Sequence, residues 1–162
     1  MKIKITNAVL EDVDAITSLE AVCFPPTEAA TMESFKKRIL RFPESFFIAK
    51  LEGKIIGVVN GCITDSNVIY DAMFHDDKEH ISEGENQTIF GLLVHPDFQR
   101  QGIAALLLNH IINISRERGK KAVILTCKEK LIHYYEKFGF ENKGVSKSSH
   151  GGAVWYDMYL KL

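Results

Sequence analysis

Residues 94–114, VHPDFQRQGIAALLLNHIINI, follow the apolar run Ile89, Phe90, Gly91, Leu92, Leu93, Val94 with a turn holding Gln99, Arg100 and Gln101, then one glycine and a long apolar-striped segment. The chemistry this stretch offers is anion binding. The first turn of any helix carries unpaired backbone N–H groups and the positive end of the peptide dipole, which together attract phosphate. Gly102 and Ala104 bare that backbone, and Arg100 can add a charge-assisted contact. On spacing alone, the same two small residues serve close helix packing equally well. The three spaced glycines of a dinucleotide fingerprint are absent, as is the Gly-Lys-Ser/Thr of a nucleotide-hydrolysing loop. A phosphate bound here therefore belongs to another cofactor.

Other stretches could handle protons or cations. Residues 71–85, DAMFHDDKEHISEGE, hold six carboxylates against one lysine, a balance that favours a cationic partner and equally suits a solvated loop. SSHGGAVWYDM gathers His150, two glycines and Trp155 near the C-terminus, where His150 can meet a ligand or cap a turn. Cys23, Cys62 and Cys127 are odd in number and far apart, without the spacing of a zinc site or a disulfide framework. They read as buried thiols in a reducing compartment, and no metal is implied.

These groups need a scaffold, and the sequence supplies one. KIKIT alternates as a strand, and Glu11 and Asp12 lead an apolar stripe of Val13, Ile16, Leu19 and Val22 that Pro25 and Pro26 end. Thr27 can cap a second helix with Ala29, Ala30, Met32, Phe35 and Ile39 on its apolar side, stopped at Phe42 and Pro43. SFFIAKL, the turn Glu52-Gly53 and KIIGVVNGCIT form a hairpin, while residues 65–85 are irregular. A strand ends at Val94. The helix from about Gln101 to Arg118 closes at Gly119 and anchors through Ile103, Leu106, Leu107, Ile111 and Ile114. The strand AVILTC, a helix from about Glu129 to Phe138 closed by Gly139, a strand from Phe140 and the strand VWYDMYL complete the chain. The order βααβββαβαββ predicts an α+β fold: a mixed, mostly antiparallel sheet of 6–7 strands with about four helices.

A chain of 162 residues matches one domain spanning 1–162, able to bury roughly two thirds of its unfolded surface. With 20 basic against 21 acidic residues and a net charge of −1, no global field draws a nucleic acid, which weighs against a DNA- or RNA-binding helix at 101–118. The N-terminus MKIKITNAVLEDVDA lacks the apolar run of a signal peptide or membrane span, so a cytoplasmic protein without a membrane partner is expected.

VHPDFQRQGIA resembles the Q/R-x-x-G-x-G/A segment that binds the pyrophosphate of acetyl-CoA in the Gcn5-related N-acetyltransferase superfamily. KEKLIHYYEKFGF is similar to that superfamily's second signature, a helix with a tyrosine shortly before an aromatic-Gly-Phe strand start, and it follows AVILTC in the family order. Within the superfamily, CFPPTEAAT and LTC are most similar to the arylalkylamine, or serotonin-type, enzymes and their microbial relatives.

The resemblance implies an acetyl-CoA-dependent N-acetyltransferase acting by direct transfer on a primary amine of a small molecule, arylalkylamine- or polyamine-like. It implies a sheet split beside the strand ending at Val94, with the pantetheine arm against the backbone of Leu92, Leu93 and Val94. It places Gln99, Arg100, Gln101, Gly102, Ile103 and Ala104 at the pyrophosphate, and Tyr135 at the departing sulfur as the acid, with Tyr134 facing elsewhere. The animal enzymes' two relay histidines correspond here to Thr88 and Phe90, so the base must be another group. Glu28 has the best position, at the start of the second helix on the acceptor wall. Glu85, His75 and His80, acting directly or through water, are the alternatives. A protein or peptide N-acetyltransferase and a non-catalytic CoA-binding regulatory module are the other readings; retention of Tyr135 weighs against the second.

Overall fold

The structure, a computed structural model, describes residues 2–162. Its strands are β1 (Ile3–Asn7), β2 (Phe46–Leu51), β3 (Lys54–Asn60), β4 (Ile63–Thr64), β5 (Asn86–Ile89), β6 (Gly91–Val94), β7 (Ala122–Cys127), β8 (Glu141–Val145) and β9 (Tyr156–Lys161). Its helices are α1 (Val13–Cys23), α2 (Met32–Arg41), α3 (Ala72–His75), α4 (Ile103–Glu117) and α5 (Ile132–Glu136). The strands form two sheets, ordered β1-β2-β3-β6 and β4-β5-β7-β9-β8, antiparallel except for the β5–β7 pair.

Alternation along the first sheet gives it two apolar faces. Phe46, Ile48, Val58 and Leu93 pack with Val13, Ile16, Leu19, Phe35 and Ile39 of α1 and α2. Phe47, Ala49, Val59 and Val94 face Ile103, Leu107, Leu108 and Ile111 of α4 on the other side. The β2–β3 hairpin turns where expected, with Glu52 and Gly53 both at positive φ.

The expected strand ending at Val94 is two strands. β5 runs parallel to β7 as far as the Ile89–Leu125 rung; Phe90 then breaks the ladder, and β6 pairs only with β3. The sheet therefore opens between β6 and β7, leaving Thr126 and Cys127 paired on one side only, with β9.

Three details depart from the sequence reading. Thr31, not Thr27, caps α2, its hydroxyl accepting from Ser34 N–H at 3.2 Å. A carboxylate oxygen of Glu20 holds the Ala30 N–H at 2.9 Å, fixing the preceding residues as a loop. Leu106 is 44% exposed and off the buried stripe of α4, where Leu108 and Ile112 stand instead. The helix expected over 129–138 is a 3-10 turn at Glu129–Leu131 followed by the short α5.

His80 ties the irregular loop to the sheet. Its ring is buried, stacks on Phe42 at 5.1 Å and accepts the Ile63 N–H on Nδ1 at 3.0 Å, an interaction open only to the neutral imidazole. Burial holds its pKa below the ordinary 6.5, aided by Arg41 and Lys120 and opposed by Glu44. The unfolded chain takes up this proton first, so the contribution is present above about pH 6.5 and is lost as pH falls through the depressed native value. Melting curves from pH 7.5 to 5 should show the wild-type Tm falling over that interval. The fall should be shallower for His80→Gln, which cannot charge. His110, desolvated against Phe47, adds a slope of the same sign that both proteins share.

Candidate active site

The turn before α4 is strained where a ligand backbone would approach. Arg100 has φ +62° and Gly102, the N-cap, φ +82°, a region that L side chains seldom adopt. A Cβ added at Gly102 would meet nothing within 4 Å, so this glycine is not there to let a neighbouring helix or strand come close. The first intrahelical bond runs from Leu106 N–H to the Gly102 carbonyl at 3.0 Å, leaving the amides of Ile103, Ala104 and Ala105 without helical partners. Arg100 and Gln101 are exposed beside them, whereas Gln99 turns its amide back onto the Val94 carbonyl at 3.1 Å and braces the turn. Ile103 has its side chain in the core, so only its backbone is available.

β6 divides the three residues expected to meet the pantetheine arm. His95 N–H donates to Ile56 O at 2.8 Å, and antiparallel alternation then turns Leu93 and Gly91 toward β3. The N–H groups of Leu92 and Val94 point into the opening, while Leu93 is committed to the ladder and the α1–α2 core.

Tyr135 is 8% exposed and lies edge-on to Phe140 and Tyr134, at 5.8 and 5.3 Å between ring centroids. Burial, with Cys127 and Tyr134 beside it, raises its hydroxyl well above the ordinary tyrosine value, so it remains protonated at neutral pH. None of the side-chain hydrogen bonds among the described residues uses this hydroxyl. Tyr134 leans away onto Phe138 at 5.3 Å.

The opposite wall comes from the α1–α2 loop and from residues 146–155, which strap it down. His150 Nε2 lies 3.0 Å from the Glu28 carbonyl, and its ring stacks on Phe74 at 4.9 Å. Trp155 Nε1–H donates to the His150 carbonyl at 2.8 Å. Gly151, at φ +65°, packs so closely that a Cβ there would sit 2.6 Å from Glu28 Cγ. The Glu28 side chain is 8% exposed, and its Oε2 pairs with Lys128 Nζ at 2.8 Å. Its Oε1 is sealed and has no hydrogen-bond partner among the described residues.

The other base candidates are placed differently. His80 is consumed by its structural role, and Glu85 pairs with Lys121 at 2.8 Å at the start of β5, remote from the opening. His75 stands 6.0 Å from His150, ring to ring. The acidic loop spends much of its charge internally: Asp71 accepts from Ser148, Asp77 binds Arg41 at 2.9 Å, and Glu79 accepts from Tyr70 at 2.7 Å. Two residues outside the sequence reading back the wall. Arg38 is buried, with its guanidinium 4.9 Å from the Phe90 ring centre and bonded to Asn60 Oδ1 at 3.1 Å. Burial lowers its pKa to about 10 against the opposing pull of Glu20. Lys128, the partner of Glu28, is 100 residues away in sequence, and nothing local marks the pair.

Among the described residues no cluster of three or more His, Cys, Asp or Glu could hold a metal ion, and no helix is long and apolar enough to cross a membrane.

Comparison with known proteins identifies relatives of this chain. An uncharacterized N-acetyltransferase of Methanocaldococcus jannaschii is 31% identical over 117 residues, 70% of this chain and 46% of that protein. The serotonin N-acetyltransferase of Mesocricetus auratus is 23% identical over 112 residues, 68% of this chain and 53% of that one. The chain spans from about a quarter to about a half of the length of the curated relatives it matches. A probable hydrolase of Bacillus subtilis is 27% identical over 83% of this chain and 28% of that protein. The crystal structure of the loading GNATL domain of CurA from Lyngbya majuscula shares the fold, with a TM-score of 0.86 at 16% identity over 99% of this chain and 98% of that one. The family model described as the acetyltransferase (GNAT) family matches residues 13–140, from the first turn of α1 to the strand start after α5, and the chain belongs to that family.

Proposed function

We propose that the protein transfers an acetyl group from acetyl-CoA directly to the primary amine of a small molecule, arylalkylamine- or polyamine-like, without a metal. The observation that carries this reading is the opening between β6 and β7. The bare α4 amides follow β6 on one side of it, and the protonated Tyr135 hydroxyl, without a hydrogen-bond partner among the described residues, lies beside Cys127 of β7 on the other.

When bound, acetyl-CoA supplies an activated thioester; the chain's own groups do the rest. The amides of Ile103, Ala104 and Ala105, with Arg100, hold the pyrophosphate. The N–H of Leu92 or Val94 polarises the carbonyl where charge develops. Tyr135 delivers a proton to the departing sulfur. Glu28 keeps Oε2 on Lys128 and accepts a hydrogen bond from the acceptor amine through Oε1. With Oε2 held by Lys128, the Glu28 carboxylate is fixed in place to orient the amine.

A small acceptor is favoured over a peptide because residues 146–155 close onto the α1–α2 loop, through His150 and Gly151, where an extended chain would need a groove. The similarity to a serotonin N-acetyltransferase supports an amine of this kind. Incubation with acetyl-CoA and a panel of aryl, alkyl and polyamine acceptors should release free thiol with at least one class, and peptide N-termini should give less. Thiol release confined to peptides would transfer the assignment to a protein acetyltransferase.

A further inference from the structure

The proton that an ammonium acceptor must lose has no assigned destination, because Glu28 is tied to a lysine. We propose that Asp157, on β9, is the carboxylate that takes this proton, an inference that rests on the acetyl-transfer reading above.

The placement comes from strand register. Asp157 pairs with Thr126, the first β7 residue beyond the Ile89–Leu125 rung, so it lies one strand from the point where the sheet opens. Side chains alternate across a sheet. Leu125, Cys127 and Met158 face the α4–α5 side with Tyr135, so Thr126 and Asp157 face the opposite side, where the strap and the α1–α2 loop lie. Two residues further along the same face come Lys128 and Trp155, with the Lys128 ammonium 5.7 Å from the Trp155 ring centre and 2.8 Å from Glu28 Oε2. Tyr135 and Asp157 thus flank the opening from its two faces, as donor and acceptor of protons in one transfer would.

Unsatisfied atoms point to the same place. Three buried side-chain oxygens lack a hydrogen-bond partner among the described residues, and two of them, Glu28 Oε1 and Asp157 Oδ1, belong to this wall. A sealed carboxylate oxygen without a donor is costly unless a ligand supplies one. An amine nitrogen supplies several. Unlike Glu28, Asp157 forms no ion pair within 4 Å among the described residues. Burial raises its proton affinity, offset in part by the Ser146 hydroxyl. The charged and titratable groups of this wall are Lys128 from the β7–α5 turn, paired with Glu28 from the α1–α2 loop, His150 from the strap beside His75, and Asp71, which is bonded to Ser148.

The step balances. An N–H bond of the ammonium breaks, its electron pair stays on nitrogen, and the proton goes to Asp157 Oδ1. The nitrogen pair forms the C–N bond as the C–S bond breaks with its electrons to sulfur. Tyr135 protonates that sulfur and is itself restored by the second proton leaving nitrogen. Asp157 releases its proton to solvent, so ammonium and thioester give amide, thiol and one proton.

The test is kcat/KM against pH, from neutral to the pKa of an alkylamine acceptor, together with an alkoxyamine, which is uncharged at neutral pH. Asp157→Asn should lose about a hundredfold or more with the alkylamine at neutral pH. That deficit should shrink as pH rises and nearly vanish with the alkoxyamine. Glu28→Gln should lose the same factor at every pH and with both acceptors, and His150→Gln should keep the wild-type pH shape. Asp157→Glu, which retains a carboxyl, should keep that shape at a reduced rate and serves if Asn impairs folding. Wild-type rates from folded Asp157→Asn, or a deficit independent of pH and acceptor, would overturn the proposal. A pH-dependent deficit in Glu28→Gln or His150→Gln instead would move the base there. Wild-type protein that binds CoA but acetylates neither acceptor would overturn both this proposal and the acetyl-transfer reading.

Discussion

Tyr135→Phe should lower kcat by about a hundredfold, the low end of the hundred- to ten-thousand-fold range typical of a general acid, because a thiolate is a fairly good leaving group. Nothing else should change much. The hydroxyl makes no hydrogen bond among the described residues, and the ring keeps its contacts with Phe140 and Tyr134, so Tm and CoA affinity should stay near wild type. Burial holds the tyrosine proton in place well above the ordinary value of 10, so wild-type kcat should show no alkaline decline from loss of this acid up to about that pH. Tyr134→Phe is the control, since its ring leans onto Phe138 and away from the opening. A slow acceptor must be used, or product release will hide a slower chemical step. Wild-type turnover from folded Tyr135→Phe, or a larger loss from Tyr134→Phe, would place the acid elsewhere.

What the sequence displays and what it conceals divide along the range of the interactions. The Glu52-Gly53 hairpin, the stop at Gly119 and the turn at Gly102 depend on the backbone preferences of adjacent residues, which can be read directly. The α2 cap depends on more. Thr27 and Thr31 are equally good capping residues, and the choice falls on Thr31 while Glu20, ten residues back, binds the Ala30 amide and holds the intervening segment as a loop. The break at Phe90 is hidden because a run such as IFGLLV is apolar on either side of it. Only the partners differ, β7 before and β3 after.

The acceptor wall was the least legible part. Glu28 stands out as a carboxylate at a loop, but Lys128, its partner, is one of several lysines in KEK and its surroundings. Asp157 carried one faint signal, a lone charge within the aromatic strand WYDMYL. Alternation alone says that it faces away from Met158, and only the β7–β9 register puts it beside the opening.

Gly102→Val should weaken CoA binding by roughly ten- to a hundredfold, the loss of one charge-assisted hydrogen bond at about 1.5–3 kcal/mol. Two effects combine in this variant. A β-branched side chain at φ +82° strains the turn, and its methyl groups occupy the space in front of the α4 amides. Gly102→Asn separates them. Asparagine tolerates the left-handed conformation, yet its side chain projects into the same open space. If the amides of Ile103, Ala104 and Ala105 hold the pyrophosphate, Asn should lose most of the CoA affinity that Val loses while melting near wild type. If only backbone strain matters, Asn should bind CoA almost normally. Calorimetry with CoA on both folded variants decides between these outcomes. Unchanged affinity in both would leave Gly102 as the residue that lets the chain turn into α4 and would move the phosphate site off this helix.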